Sequence, residues 1–253
     1  MHPIFHILGT EISAYAALAL IGLIAGLCIG EYTRRHIGLS RGGLLSFTLF
    51  CMIGAVVGAK LLFMIVEWER TVSDLKGVLF GGGFVFYGGL LMSFFTAWLW
   101  CRKTHTPMLP MLDIFFPGVT LFHAFGRVGC FLAGCCYGCE TTSALGVCFP
   151  EGGYAPAEIP LMPVQLFEAA FLLILTVVLV IILKRSRISG TTFSIYLIAY
   201  AFWRFVIEFF RSDPRGSLFG LSTSQLISIL LLIFGTMLYR RIRSEKEKNC
   251  ICK

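Results

Sequence analysis

Charged residues are scarce in this sequence of 253 residues, because only 14% are Asp, Glu, Lys or Arg. Soluble domains carry about 25% charged residues, so this scarcity excludes an ordinary soluble globular domain. Hydrophobic residues make up 57% of the chain, and several apolar runs reach the roughly 20 residues that one helical crossing of a bilayer needs. The composition therefore predicts an all-α integral membrane protein.

Three further features are missing. The first dozen residues contain no Lys or Arg, whereas a basic region opens a secretory signal peptide, so the first apolar run is expected to remain as a membrane span. No Gly-Lys-Ser or Gly-Lys-Thr follows a glycine-rich stretch, which excludes the phosphate loop of nucleotide enzymes. No internal repeat is evident, which disfavours a transporter or a channel.

Seven apolar runs predict seven transmembrane helices in a single polytopic membrane domain, residues 1–253. Asp113, Pro117 and His123 interrupt the fourth run, which is expected to be broken or partly re-entrant because proline removes a backbone donor. A Cys-rich loop at about residues 128–163 follows it. The runs lie near residues 13–30, 44–66, 82–100, 108–127, 164–183, 191–210 and 222–239.

Basic residues are unevenly distributed between the predicted loops. With the N-terminus outside, the cytoplasmic segments hold 14 of the 21 Lys and Arg residues and the external segments hold four. Cytoplasmic loops carry an excess of Lys and Arg, so the count predicts an external N-terminus and a cytoplasmic C-terminus. The net charge of +7 is attributed to this orientation, and nucleic acid is not expected as a partner. The external Lys and Arg residues are Arg70, Lys76, Arg211 and Arg215.

A polar stripe runs along the sixth predicted span. Its members are four, four and three residues apart, which places them on one helical face; they are Tyr200, Arg204, Glu208 and Arg211. Ionisable residues at membrane depth are costly and often mark a substrate path. An Arg204–Glu208 pair that only fixes helix packing explains two of the four equally well. The second arginine favours a ligand, because one carboxylate does not neutralise two guanidiniums.

Arg127 lies between two glycines at the end of the fourth predicted span. Its guanidinium presents a planar fork that matches phosphate oxygens, so Arg127 is a candidate for binding an anionic lipid. Pairing with Asp113 or Glu168 is the structural alternative. Gln165 and Glu168 are three residues apart at the start of the fifth span and share a face suited to a polar headgroup. Helix capping explains Glu168 equally well.

Two other segments have an unusual composition. Residues 81–89 contain five glycines among aromatic residues, which predicts a tight loop that enters the membrane beside a ligand. Five of the ten cysteines fall within 19 residues of the Cys-rich loop: Cys130, Cys135, Cys136, Cys139 and Cys148. An oxidising exterior favours disulfides between them, while redox-active thiols and free, merely apolar cysteines are the other interpretations. Their spacing matches no standard template, so no metal ligand and no cofactor is assigned.

Several motifs resemble those of bacterial phosphatidylglycerol:prolipoprotein diacylglyceryl transferases. The similarity covers nearly the whole chain and includes the glycine-rich segment 81–89 and Tyr15. The three main motifs are Gly126-Arg-Val-Gly129 followed by Phe131 and Gly138, Gln165-Leu-Phe-Glu168, and Arg204-Phe-Val-Ile-Glu208-Phe-Phe-Arg211. The resemblance implies transfer of the diacylglyceryl group of phosphatidylglycerol to the cysteine thiol of a prolipoprotein signal peptide, with release of glycerol phosphate, in the bacterial inner membrane.

The resemblance also implies roles for individual residues. Guanidiniums stabilise the charge that develops on a phosphate leaving group, and the attacking nucleophile is a thiolate. The implied catalytic residues are Arg127, Arg204, Tyr87, Tyr15 and Glu208, and the implied substrate-binding residues are Arg127, Arg211, Gln165, Glu168 and Gly138.

The chain departs from the family pattern at three positions. Tyr87 stands where the family usually has a histidine, and Cys130 and Cys135 replace the usual asparagine and glutamate. An ordinary phenol is a poor base at neutral pH, so Tyr87 is expected to donate to a phosphate or ester oxygen, with Tyr15 beside it. The alternatives are a diverged paralogue that acts on another lipid or acceptor, and a membrane thiol oxidoreductase that uses the cysteines.

Overall fold

The structure, a computed structural model, describes residues 4–7, 10–151, 154–186, 188–212, 217–218 and 220–251. Helices dominate these residues, and the strands form three small antiparallel pairs. The helices are α1 (Ala14–Thr33), α2 (Arg41–Val66), α3 (Trp68–Ser73), α4 (Leu75–Phe80), α5 (Phe86–Lys103), α6 (Met108–Ala133), α7 (Val164–Arg185), α8 (Thr191–Ile207) and α9 (Thr223–Ile251). The strand pairs are β1 (Ile4–Ile7) with β2 (Thr10–Ser13), β3 (Val147–Cys148) with β4 (Pro160–Leu161), and β5 (Ser217–Leu218) with β6 (Leu221–Ser222).

Six helical segments within the described ranges are long and apolar enough to cross a membrane: Ala14–Ile37, Arg41–Val66, Met108–Ala133, Val164–Arg185, Thr191–Phe210 and Thr223–Lys246. They agree with six of the seven predicted spans and fit an integral membrane protein. The remaining predicted span corresponds to α5, which has 18 residues and ends in Arg102 and Lys103. It begins later than predicted because residues 81–85 lie outside the helix.

The chain folds as two compact units. Unit 1 comprises Met1–His36 and Leu112–Lys253, and unit 2 comprises Ile37–Met111. The organisation of the whole chain as one domain stays a prediction.

Unit 2 is built around close packing of α2 and α5. A Cβ atom at Gly58 would meet the carbonyl oxygen of Gly88, and one at Gly88 would meet that of Gly58. Small residues allow such backbone approach between membrane helices. Before α5, the ammonium group of Lys60 donates to the carbonyl oxygen of Gly81 at 2.9 Å, and Gly83 adopts a positive φ of 107°. The predicted tight loop is therefore present, but Gly88 and Gly89 belong to the helix.

Helix α6, most of which belongs to unit 1, is continuous over 26 residues although it contains Pro117. The expectation of a broken or re-entrant span was therefore wrong. The carbonyl oxygen that loses its helical donor at Pro117 is that of Asp113, four residues earlier. The Thr33 hydroxyl of α1 donates to the next carbonyl oxygen, that of Ile114, at 2.8 Å and joins α1 to α6. Because α6 continues to Ala133, Arg127 lies within the helix, nearly two turns before its end.

Asp113 stabilises the start of α8. Its carboxylate oxygens accept hydrogen bonds from the backbone N–H groups of Gly190 at 2.5 Å and Phe193 at 2.8 Å. The first N–H groups of a helix have no partner within the helix, and a carboxylate satisfies them and complements the positive end of the helix dipole. Asp113 is buried, and these contacts give it a structural role in place of the predicted pairing with Arg127.

Candidate active site

Glu168 is the centre of a buried charge cluster that joins three helices of unit 1. Its carboxylate, 1% exposed, lies 3.0 Å from Nη2 of Arg127 on α6 and 3.9 Å from Nη1 of Arg204 on α8. Pro163 precedes α7 and is followed by Val164, so Glu168 is the fifth residue of the helix and is not in a capping position. The capping interpretation is therefore replaced by the predicted ion pair with Arg127.

Arg204 also binds its own helical neighbour. Its Nη2 lies 2.7 Å from Oε2 of Glu208 and donates to the hydroxyl of Ser224 on α9 at 3.2 Å. The predicted Arg204–Glu208 pair is thus present. However, Nη1 of Arg204 is buried and makes no hydrogen bond with any residue that the structure describes. Oε2 of Glu168, 3.9 Å from Nη1, is beyond hydrogen-bond distance, so the two groups attract each other only as charges.

His123 and Tyr200 complete the surroundings of Arg127 and Glu168. The Nε–H of Arg127 donates to Nε2 of His123 at 3.2 Å, and the Tyr200 hydroxyl donates to Oε1 of Glu168 at 3.5 Å. The sequence analysis treated His123 only as an interruption of an apolar run. Its spacing of four residues before Arg127 was the available signal, because side chains at that spacing meet on one helical face.

Gln165 shares the buried face of Glu168, as predicted, and is itself 1% exposed. Its Nε2 donates to the backbone carbonyl oxygen of Cys135 at 2.8 Å. A carbonyl only accepts hydrogen bonds, so this contact fixes the orientation of the amide. Within the described part of the chain, Oε1 of Gln165 has no hydrogen-bond partner. It is therefore available to accept from a ligand hydroxyl.

Arg211 departs from the predicted helical stripe. Helix α8 ends at Ile207, residues Glu208–Phe210 form a 3-10 turn, and Arg211 is extended. Arg211 instead forms an isolated antiparallel bridge with Gly138. A Cβ atom at Gly138 would collide with the carbonyl oxygen of Met162 and approach that of Phe210, so glycine is required for this close packing. Gly138 thereby positions the backbone of Arg211.

A cysteine cluster forms where α6 ends. Gly134 adopts a left-handed conformation with φ of 71°; its N–H donates to the carbonyl of Phe131, and the N–H of Cys135 donates to that of Cys130, each at 3.1 Å. These two bonds form a Schellman motif, which brings Cys135 back onto Cys130. Cys136 follows with a positive φ of 61°. The Cys130, Cys135 and Cys136 sulfurs all lie within 4.8 Å of one another.

The thiols of this cluster differ in acidity. Hydrogen bonds from Cys130 and Cys135, followed by the charge and hydrogen bond of Arg211, lower the pKa of Cys136 far below its ordinary value. Hydrogen bonds with Cys130 and Cys136, and burial, raise the pKa of Cys135. The five loop cysteines, Cys130, Cys135, Cys136, Cys139 and Cys148, are all free thiols.

Glycines on either side of Arg127 differ in their surroundings. A Cβ atom at Gly129 would lie 3.0 Å from the ring of Tyr15, which packs on this glycine, whereas one at Gly126 would meet nothing within 4 Å. Tyr15 is 49% exposed, so its ring borders the cluster without being enclosed. Tyr87 belongs to unit 2, where its ring lies 5.8 Å from that of Phe86. Its grouping with Tyr15 stays a prediction.

Known proteins resemble this chain along its length. The family model of prolipoprotein diacylglyceryl transferase matches residues 2–241. A phosphatidylglycerol–prolipoprotein diacylglyceryl transferase 2 of Clostridium perfringens is 38% identical, over 95% of this chain and 96% of the relative. Phosphatidylglycerol–prolipoprotein diacylglyceryl transferases of Clostridium tetani and Dehalococcoides mccartyi are 35% and 30% identical, over 98% and 93% of this chain and 100% and 92% of the respective relatives. The chain belongs to the prolipoprotein diacylglyceryl transferase family.

Proposed function

We propose that this protein transfers the diacylglyceryl group of phosphatidylglycerol to the cysteine thiol of a prolipoprotein signal peptide and releases glycerol phosphate. Family membership over residues 2–241 supports this function. The main structural support for this function is the buried cluster in which Arg127 and Arg204 both form ion pairs with Glu168. In this cluster, Nη1 of Arg204 has no hydrogen-bond acceptor among the described residues. Such a cluster suits a phosphodiester held at membrane depth.

The described residues offer complementary contacts for the phosphatidylglycerol headgroup. Arg127, Arg204 and Arg211 supply three guanidiniums, and the carboxylates in the described part of the cluster are Glu168 and Glu208. The guanidinium forks of Arg127 and Arg204 match the oxygens of a phosphodiester anion. Oε1 of Gln165 accepts a hydrogen bond from a hydroxyl of the headgroup glycerol. Arg211, at the end of the 3-10 turn, binds the phosphate from the membrane surface.

The chemical step is a displacement at the glyceryl carbon. The thiolate sulfur of the acceptor forms a bond to this carbon, the carbon–oxygen bond to the phosphate breaks, and glycerol phosphate leaves with the bonding electrons. Arg127 and Arg204 stabilise the negative charge that develops on the leaving phosphate. Glu208 holds Arg204 in position, Glu168 holds both arginines, and the hydroxyl of Tyr15 donates to a phosphate or ester oxygen. Gly138 acts through the placement of Arg211.

We also propose how the chain crosses the membrane. α5 is the remaining span of a seven-helix protein in the bacterial inner membrane, with an external N-terminus and a cytoplasmic C-terminus. The excess of Lys and Arg in the four cytoplasmic segments supports this orientation. It places the cysteine cluster and Arg211 on the external side, where a prolipoprotein signal peptide presents its cysteine. Arg215, which was counted among the external basic residues, lies outside the described residues.

The test is a transfer assay with purified protein, labelled phosphatidylglycerol and a lipobox peptide. We expect transfer by the wild type, none to a peptide with serine in place of its cysteine, and none by Arg127→Ala. Arg185→Ala removes an exposed arginine at the end of α7 and serves as the matched control, which should retain activity. Arg127-dependent binding of phosphatidylglycerol without any transfer would contradict the proposed reaction and favour a diverged paralogue with another acceptor.

A further inference from the structure

The three clustered sulfurs form a preorganised set of ligands. The sulfurs of Cys130, Cys135 and Cys136 lie within 4.8 Å of one another. A tetrahedral zinc ion with Zn–S bonds of about 2.3 Å holds its sulfurs roughly 3.8 Å apart. Small side-chain rotations therefore bring all three thiols to one ion.

Hydrogen bonds from two parts of the chain hold the backbone around the cluster in place. The Schellman bonds hold Cys135 against Cys130, and Gln165, itself buried, donates to the carbonyl oxygen of Cys135 at 2.8 Å. Cys136 adopts a positive φ, a conformation that costs free energy for a residue other than glycine. Such strain is tolerated where the surrounding structure imposes it, and the Cys136 sulfur lies within 4.8 Å of the other two.

The charges near the cluster suit bound thiolates. Arg211 donates a hydrogen bond to the Cys136 sulfur, and Arg127 is close enough to interact electrostatically with Cys130 and Cys136. Three thiolates and a divalent cation carry one net negative charge, which these guanidiniums offset. Soft thiolate ligands select zinc and related thiophilic cations over magnesium or calcium.

The described residues provide three protein ligands for a metal ion and leave a fourth coordination position vacant. Among the residues that the structure describes, no histidine, aspartate or glutamate completes the group within the same distance. Structural zinc sites have four protein ligands, whereas catalytic ones have three and leave the fourth position for water or substrate. The cluster is half-buried, so a ligand from outside is able to reach it.

We propose that Cys130, Cys135 and Cys136 bind a thiophilic divalent cation of the zinc class, whose fourth position takes the acceptor thiol as a thiolate. The second part rests on the proposed transferase function. On binding, the acceptor S–H bond breaks and its proton passes to the solvent, so that no separate base is needed. The metal-bound sulfur then attacks the glyceryl carbon, the carbon–oxygen bond breaks, glycerol phosphate leaves, and the thioether product dissociates from the metal. No group is oxidised or reduced.

Metal binding is tested first, on full-length protein in detergent that has been stripped with a chelator. We expect the wild type to bind a single equivalent of Zn²⁺, and Co²⁺ to give the sulfur-to-cobalt charge-transfer absorption of a tetrahedral thiolate site. Cys135→Ser and Cys136→Ser should bind at least about tenfold more weakly. Cys148→Ser is the matched control, because Cys148 is an exposed cysteine of β3 outside the cluster. Equal binding by wild type and Cys136→Ser, or a disulfide within the cluster of the purified protein, would overturn the proposal.

The Co²⁺-bound protein tests whether the acceptor thiol occupies the fourth coordination position of the metal. A lipobox peptide should shift the charge-transfer band, and its cysteine-to-serine counterpart should not. Transfer should be lost after chelation and regained with Zn²⁺. Transfer that persists in metal-free protein would overturn the metal proposal and leave the transferase function intact. Tight metal binding with a peptide-dependent spectral shift, but without transfer, would refute the transferase function and support the metal site.

Discussion

Nη2 of Arg127 lies 3.0 Å from Oε1 of Glu168, and the carboxylate of Glu168 is only 1% exposed. A buried carboxylate between two guanidiniums both neutralises and aligns them. Removing one partner of a buried ion pair leaves an uncompensated charge, which costs about 3–5 kcal/mol. Glu168 therefore determines both the stability of the cluster and the geometry of its arginines.

Glu168→Gln should abolish most of the transferase activity and lower the thermal stability. Glutamine keeps the shape of the side chain but removes the charge that holds Arg127 and Arg204. The measurements are transfer to the lipobox peptide and the unfolding temperature of the purified protein. Glu151→Gln changes an exposed glutamate of the Cys-rich loop and should change neither. Wild-type activity in Glu168→Gln would show that the ion pairs do not organise the site.

Arg204→Lys should lower kcat/KM for phosphatidylglycerol by roughly 100-fold, because a lysine ammonium keeps the charge but not the fork that contacts phosphate, Glu208 and Ser224 together. The loss should be much smaller in Arg185→Lys, where the arginine is exposed. Steady-state kinetics with varied phosphatidylglycerol is the measurement. Equal losses in the two variants would mean that a positive charge alone is sufficient at position 204.

The sequence predicted which residues of this cluster contact one another better than it predicted their backbone conformations. Helical spacing correctly placed Arg204 with Glu208 and Gln165 with Glu168, because spacings of three and four are local properties of a helix. It failed for Arg211, because the change from α8 to a 3-10 turn and extended chain depends on the bridge to Gly138, a contact distant in sequence.

The cysteine cluster shows the same limit. The loop contains five cysteines, but which three converge depends on the Schellman turn at the end of α6 and on the positive φ of Cys136. The sequence also failed to predict that α6 continues through Pro117, because whether a proline breaks a membrane helix depends on the structure around it.

Gly118→Ala should lower the thermal stability of the protein. A Cβ atom there would lie 2.6 Å from the carbonyl oxygen of Gly26, which forces α1 and α6 apart, and lost helix contact is costly in a membrane where small residues drive packing. Gly42→Ala is the control, since a Cβ atom at Gly42 meets nothing within 4 Å. The measurement is the unfolding temperature in detergent. A wild-type value for Gly118→Ala would show that the two helices separate without penalty.

His123→Ala should reduce kcat more than it raises KM, because His123 accepts the Nε–H of Arg127 at 3.2 Å and keeps this guanidinium directed at Glu168. As a positioning residue, His123 should be replaceable by another acceptor of similar reach. His123→Gln should therefore recover much of the activity that His123→Ala loses. The exposed His105 provides the control His105→Asn, which should behave as the wild type. Equal loss in His123→Ala and His123→Gln would mean that the imidazole itself is required, and would assign it a part in the proton transfer that the acceptor thiol must undergo.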